Sequence, residues 1–202
     1  LTIRGIKVVY PSNAADMKGL MKASFLDPNP VVMLEHKGLY WSKVPGTEEA
    51  RRPEPSRDYI IPLGKALQVL MADPEMIASG RSCSIITYGM GVYWAKAAEH
   101  FFPGQLEIID LRTLFPLDEA MIYETVKRHG KCLILTEDTQ LNSFAESLAG
   151  RISQHCFRFL DAAVEVIGSL DLPAVQMNMK LEEAMLANAK KINDILRKLL
   201  ED

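Results

Sequence analysis

Four stretches of this chain are apolar almost without a break: "CSIITYG" at 83–89, "LEIIDL" at 106–111, "KCLILTE" at 131–137 and "AVEVIG" at 163–168. A strand with one wet face alternates polar and apolar residues. A strand covered on both faces does not, and parallel strands buried between helices read as continuous apolar runs. Between these runs lie segments with helical spacing, from about Met90 to Phe102, Leu117 to His129 and Asn142 to Phe157. This rhythm predicts an α/β fold of three layers: a mostly parallel sheet with helices on both faces.

The N-terminal stretch repeats the rhythm once. "IKVVYP" (6–11) reads as a strand ended by Pro11, and Ser12 or Asn13 can cap a helix from Ala14 to Leu26. "DPNP" (27–30) stops that helix, because Pro28 disfavours helical geometry at Asp27. "VVMLE" (31–35) is a second strand. A strand–helix–strand piece cannot bury both faces alone, so residues 1–40 are expected to be the end of a preceding α/β domain. The polar, proline-rich run that follows has no hydrophobic period, and residues 41–58 read as a linker. Residues 59–202 then form the main domain, with one or two strands in "IIPLGKALQVLM". One long amphipathic helix is predicted over 180–200, with Leu181, Met185, Ile192, Ile195 and Leu199 in a core-facing stripe. Lys190, Lys191, Arg197 and Lys198 are its solvated face, and positive charge in the last turns suits the helix dipole.

Charge narrows the function classes. A net charge of −3 and a pI near 5.9 supply no general pull toward nucleic acid or anionic membranes. No apolar run approaches the roughly 20 residues of a membrane-spanning helix. Cys83, Cys132 and Cys156 lack metal-site spacing, and two of them lie in strand runs. Buried free thiols in a reducing compartment are expected, hence a cytoplasmic protein. The start, "LTIRGIKVVY", enters a strand pattern without a signal peptide, and the chain is expected to be a piece of a longer protein.

Candidate sites are few. "YGMGVYWA" (88–95) puts two glycines between a strand and a helix, where a phosphate can sit. Without a third glycine or a Lys-Ser/Thr pair, a tight turn is the better reading. Glu137 and Asp138 end a strand, and capping the next helix is their ordinary role. His36, His100, His129 and His155 are scattered, with surface or helix-end roles expected. Met177, Met179 and Met185 read as packing. Asp110, Arg112, Thr113 and Asp118, in "DLRTLFPLD", follow a strand where α/β enzymes often place chemistry.

Five segments in fixed order carry a resemblance. They are "GIKVVYPSNAADMKGLMKASFLDPNPVVMLEHKGLYW" (5–41), "PLGKA" (62–66), "SIITYGMGV" (84–92), "IIDLRTLFPLDEAMI" (108–122) and "FRFLDAAVEVIGSLDLP" (157–173). Together they resemble the C-terminal half of the β subunit of thiamine-diphosphate-dependent 2-oxo acid dehydrogenases, of the transketolase-like superfamily. The resemblance implies the end of a pyrimidine-binding domain followed by a transketolase C-terminal domain. It implies decarboxylation of a 2-oxo acid and acyl transfer to a lipoyl group by the intact enzyme, with thiamine diphosphate and Mg²⁺. The family's activating glutamate and a catalytic histidine lie upstream, so no catalytic or cofactor-binding residue is expected in this chain, and the chain alone should be inactive. "DLRTLFPLD" is then a structural joint, with Asp118 a cap and Arg112 an ion-pair partner. The resemblance also implies a monovalent cation, typically K⁺, on backbone carbonyls at Ser24, Phe25, Asp27 and Asn29. It implies three partners: an α subunit or region, a second β copy, and the binding domain of the dihydrolipoyl acyltransferase core, met by Asp161. The loop from Thr136 to Glu146 departs from the family: Thr136 replaces a histidine and "LNSFA" replaces glycines. Other readings are the C-terminal domain of a transketolase or deoxyxylulose-phosphate synthase, or a non-catalytic interaction domain of the same fold.

Overall fold

The computed structural model describes Leu1 and residues 3–201. Strand β1 (Lys7–Val9) leads into helix α1 (Ala14–Leu26) and strand β2 (Val31–Met33), followed by a short helix α2 (Lys37–Tyr40). Asn13 caps α1, its side-chain oxygen accepting from Asp16 N at 3.0 Å. Then come β3 (Leu67–Leu70), the short α3 (Pro74–Ala78), β4 (Cys83–Thr87) and α4 (Gly91–Glu99). The chain continues as β5 (Leu106–Asp110), β6 (Thr113–Phe115), α5 (Glu119–His129), β7 (Cys132–Thr139) and α6 (Phe144–Cys156). It closes with β8 (Glu165–Ser169), α7 (Met179–Met185) and α8 (Ala189–Glu201).

The main sheet has the order β3-β5-β4-β7-β8, and only β3 runs antiparallel to its neighbour. The period-2 alternation of side chains sorts the apolar runs onto two faces. Ile85, Ile108, Leu133 and Leu135 face a core shared with Ala95 and Ala98 of α4 and Ile192, Leu196 and Leu199 of α8. Ile86, Ile109 and Ile134 face the other core, with Ile122 and Val126 of α5 and Leu148 and Ile152 of α6. The helices therefore divide into two layers, as the unbroken apolar runs require.

A second, three-stranded sheet has the order β2-β1-β6. Here β1 pairs parallel with β2 and antiparallel with β6. The sequence reading missed β6, because "TLF" looks like part of the approach to α5. Its pairing is nonlocal, and three residues carry no period.

Two other differences have plain causes. "IIPLGKALQVLM" yields one strand, since Gly64 takes a φ of +82° and turns the chain beside Pro116. The expected helix over 180–200 is two helices. Leu186 leaves helical geometry, and Asn188 caps α8 by accepting from Lys191 N at 3.0 Å. Lys191 sits in the first turn of α8, and its ammonium donates to the carbonyls of Ala184 and Leu186 at the end of α7. Leu181 lies outside the core stripe and is 55% exposed, whereas Met185, Ile192 and Leu199 are buried.

The two glycines of the turn after β4 act through space rather than through a ligand. Gly89 has a φ of +56°, and Gly91 opens α4 against Thr87, where a Cβ would lie 2.1 Å from the hydroxyl oxygen.

Candidate functional site

The carboxyl ends of β1 and β5 face each other, and a buried polar network fills the seam between the two sheets. Asp110 is fully buried at the end of β5. It accepts from Ser12 Oγ at 2.5 Å and from the backbone N–H of Arg112 at 3.0 Å. Burial pushes its carboxyl up to about 7, against the pull of these two donors. Arg112 adopts a left-handed φ of +54°, which turns the chain from β5 into β6. Its guanidinium reaches Asp16 of α1 at 3.5 Å and donates to the carbonyls of Lys65 (3.3 Å) and Ala66 (3.1 Å). Tyr59 donates to Asp16 at 3.3 Å, and Tyr93 donates to the carbonyl of Ser12 at 2.8 Å.

Asp118 closes the motif. It caps α5 through Met121 N at 3.4 Å and accepts from Ala66 N at 3.2 Å. Thr113 accepts from Gly64 N at 3.1 Å. Each polar group of "DLRTLFPLD" named at the outset is thus engaged with protein partners and closed to solvent, which is the arrangement of a structural joint.

A second polar group lies nearby on the open side of the three-stranded sheet. His36 follows β2 and pairs through Nε2 with Glu137 of β7 at 3.1 Å. That hydrogen bond holds the imidazole above its usual range, against burial. Tyr10 is pushed up to about 12, first by burial and then by Glu137 and Tyr88. Tyr88 bonds Thr136 at 2.7 Å and stacks at a tilt on Tyr10, 5.4 Å between centroids. Thr136 is therefore a buried hydroxyl partner. Tyr10, Tyr88 and Glu137 border a groove of about 910 Å³, walled by Val8, Val32 and Leu34 on one side and Asp138, Asn142 and Phe144 on the other, while His36 lies behind Glu137. The groove can hold an apolar body with a polar end.

His36 and His129 both sit at helix ends, before α2 and at the end of α5, as expected, but neither is a free surface side chain. His129 is buried, with Nδ1 on Ser82 Oγ at 2.7 Å and Nε2 on Glu107 at 2.8 Å. Burial works to raise the Glu107 carboxyl, but the bonds from His129 and Arg128 outweigh it and hold it below the usual range. Ser82 has no exposed surface, so this Ser-His-Glu string offers no nucleophile to a substrate. His155 stacks on Tyr123 at 4.7 Å, and His100 is exposed. Neither Glu137 nor Asp138 caps α6. Ser143 does so, accepting from Glu146 N at 3.3 Å. Sequence spacing held no signal for the His36–Glu137 pair, whose members are 101 residues apart.

The other sequence-predicted positions do not gather with these groups. Ser24 and Phe25 end α1, and Asp27 and Asn29 follow it, with Phe25 85% exposed. Asp27 N donates to the carbonyl of Ser24 at 3.3 Å, and Asp27 Oδ1 accepts from Asn29. Lys7 pairs with the same carboxylate and holds it below its usual range. Asp161 is exposed between α6 and β8, and its N–H donates to the carbonyl of Gly130. All three cysteines are buried and free. Burial pushes the Cys83 and Cys132 thiols up, which makes them inert. Among the described residues no three His, Cys, Asp or Glu gather as a metal site, and no helix is long and apolar enough to cross a membrane.

Comparison with known proteins follows the same architecture. Residues 74–192 match the family "Transketolase, C-terminal domain". The chain is 34% identical over 200 residues to the 2-oxoisovalerate dehydrogenase subunit beta of Bacillus subtilis (strain 168), covering 98% of this chain and 57% of that protein. It is 33% identical over 200 residues to the pyruvate dehydrogenase E1 component subunit beta of Rhizobium meliloti (strain 1021), covering 96% of this chain and 40% of that protein. The chain thus spans about half the length of these relatives. Among solved structures it resembles a split-gene transketolase described as an inactive beta4 tetramer, with a TM-score of 0.70 and 16% identity, over 99% of this chain and 59% of the other. That likeness speaks for the fold alone. With the family match over its main sheet and helices, the chain belongs to the transketolase C-terminal domain family.

Proposed function

We propose that this chain is part of the decarboxylating dehydrogenase component of a 2-oxo acid dehydrogenase complex. In that reaction a 2-oxo acid and a lipoyl group give an acyl-lipoyl group and CO₂. The observation that carries the reading is similarity to β subunits of such enzymes along nearly the whole chain, with one third of positions identical. Residues 1–40 are the end of a pyrimidine-binding domain, 41–58 the linker, and 59–202 the C-terminal domain. The chain serves assembly with an α subunit or α region and a second β copy, and docking to the acyltransferase core through Asp161. The exposure of Asp161, free of a side-chain ion pair among the described residues, supports that use. A cytoplasmic location agrees with three free buried thiols.

Thiamine diphosphate, when bound to the intact enzyme, supplies the carbanion that attacks the 2-oxo acid. The site for it is expected in the upstream part of the enzyme. The carboxylates of the seam are engaged with protein donors, and no cluster of carboxylates suits Mg²⁺ among the described residues. The chain's contribution is the rigid seam and the groove above it. K⁺ fits the end of α1 in part. The last carbonyls of a helix lack intrahelical partners, and its dipole favours a cation. The Asp27 carboxylate adds charge, but the Lys7 ammonium competes for it.

Calorimetry and a coupled assay test the reading together. This chain alone is expected to leave thiamine diphosphate unbound and to turn over no 2-oxo acid. The full-length protein with its α partner is expected to do both. Micromolar cofactor binding by the 202-residue chain, or an inactive full assembly on pyruvate and branched-chain 2-oxo acids, overturns it. Asp161→Ala is expected to weaken acyltransferase binding-domain capture by about 1–3 kcal/mol without loss of fold. Unchanged affinity removes Asp161 as an anchor.

A further inference from the structure

The His36–Glu137 pair joins the two sheets at the rim of the groove. His36 lies between β2 and α2, at the start of α2, and Glu137 lies near the end of β7. Their side chains are 17% and 32% exposed, so solvent screens the pair only in part. The other ring nitrogen of His36, Nδ1, is buried without a hydrogen-bond partner. Glu137 is thus the ring's one polar anchor among the described residues. Glu137 and Asp138 lie in the last residues of β7, and residues 140–142 lead from its end to Ser143 and α6. Glu137, Asp138, Asn142, Ser143 and Phe144 all wall the groove. On its far side this segment is tied to β8, with Thr139 opposite Ser169 and Gln140 N donating to the Ser169 carbonyl at 3.0 Å, and the Glu137 bond to His36 ties it toward the first sheet.

The surroundings give the pair no substitute. Tyr10, beyond β1, and Tyr88, beyond β4, face Glu137 with phenols that stay protonated through neutral pH. Asp138 adds negative charge on β7 itself. Glu35 and Arg51 line a small cavity with His36 on its other side, and the Arg51 guanidinium is bonded to the Trp41 carbonyl. No second carboxylate is paired with the imidazole among the described residues. We propose that His36 and Glu137 form a protonation-controlled clasp, which holds the end of β7 and the 140–142 segment against the first sheet when His36 is charged and loosens that groove wall when it is neutral.

The sign follows from linkage. A histidine whose folded pKa is raised contributes stability in full below its ordinary value of about 6.5. That contribution is lost as pH rises through the folded value. Carbon-bound ring protons report the titration of His36 in the intact protein, assigned by His36→Gln. Hydrogen exchange of the 137–142 segment, corrected for intrinsic rates, reports the clasp. His36 is expected to titrate above 6.5, and opening of the segment to increase up to about tenfold for each unit of that difference. In Glu137→Gln, the His36 titration should fall, because burial then acts without the opposing carboxylate, and the segment should be open and indifferent to pH. His36→Gln should give the same open segment, which keeps the test decisive if one variant fails to fold. Protection of β4 and β5 amides checks that each variant is folded. The proposal fails if His36 titrates at or below 6.5, if wild-type protection is flat with pH, or if either folded variant keeps the wild-type dependence.

Discussion

The two sheets are held by different physics. The five-stranded sheet is covered on both faces, and its central strands β4, β5 and β7 bury nearly every side chain. Its cohesion is apolar, spread over many contacts, and tolerant of position. The three-stranded sheet is backed by α1, where Leu20 packs with Val9 and Ile61, while Val32 and Leu34 on the groove side stay about 40% exposed. Val8 and Tyr10 touch the main core, but much of its attachment is a set of directional bonds at the seam: Ser12 to Asp110, and Arg112 to Asp16, Lys65 and Ala66. An apolar core weakens gradually as volume is removed, whereas a buried polar seam fails when one partner leaves another uncompensated.

That contrast can be broken at either end. Leu133→Ala, at a fully buried position between β7 and the α4/α8 layer, is expected to cost about 2–5 kcal/mol in urea denaturation. A loss below 1 kcal/mol would mean that the apolar side is not the stronger of the two. Arg112→Met should cost about 3 kcal/mol, the low end for a broken buried pair, because Asp16 keeps Asn13 and Tyr59 as donors. Its signature is local: exchange protection should fall at the seam before it falls in β4.

A pH series sharpens the comparison. Asp110 titrates near 7 in the folded chain and near 3.9 unfolded. The folded state then binds more protons between those values, so stability should fall as pH rises from about 4 through 7. Asp110→Asn mimics the protonated form, keeping an acceptor for Arg112 N and a polar group toward Ser12 Oγ. Its stability should be flatter over that window, and an unchanged slope would locate the linkage elsewhere. The smallest effects belong to the C-terminal helices. Asn188→Ala should cost about 1 kcal/mol through the lost cap of α8. Leu181→Ala should stay within about 0.5 kcal/mol, because Leu181 is exposed.

Much of the main sheet was legible because its strands are buried on both faces and announce themselves as unbroken apolar runs. Helix α1 was read to its end residues, since Asn13 and the "DPNP" stop are local signals. The failures share a cause. β6 exists because Val8 and Val9 need a partner more than 100 residues away, and three residues of "TLF" cannot encode that need. The His36–Glu137 pair is likewise a product of how the sheets meet. Helix formers across 180–200 hid the break at Leu186, which depends on Asn188 and Lys191 serving both helix ends. The structural role of "DLRTLFPLD" came from the family resemblance, since polar residues after a strand fit a catalytic site as well as a joint until their partners are known.

The placement of β6 has a kinetic consequence. A strand from the later part of the chain pairs with β1, with Val8 opposite Phe115. The first sheet cannot finish until β5 and the turn at Arg112 have formed. During synthesis, β1 and β2 must therefore wait with one unsatisfied edge while roughly a hundred further residues emerge. That interval is when the young chain is most open to pairing with another copy, and slowing elongation between β2 and β6 should raise its aggregation.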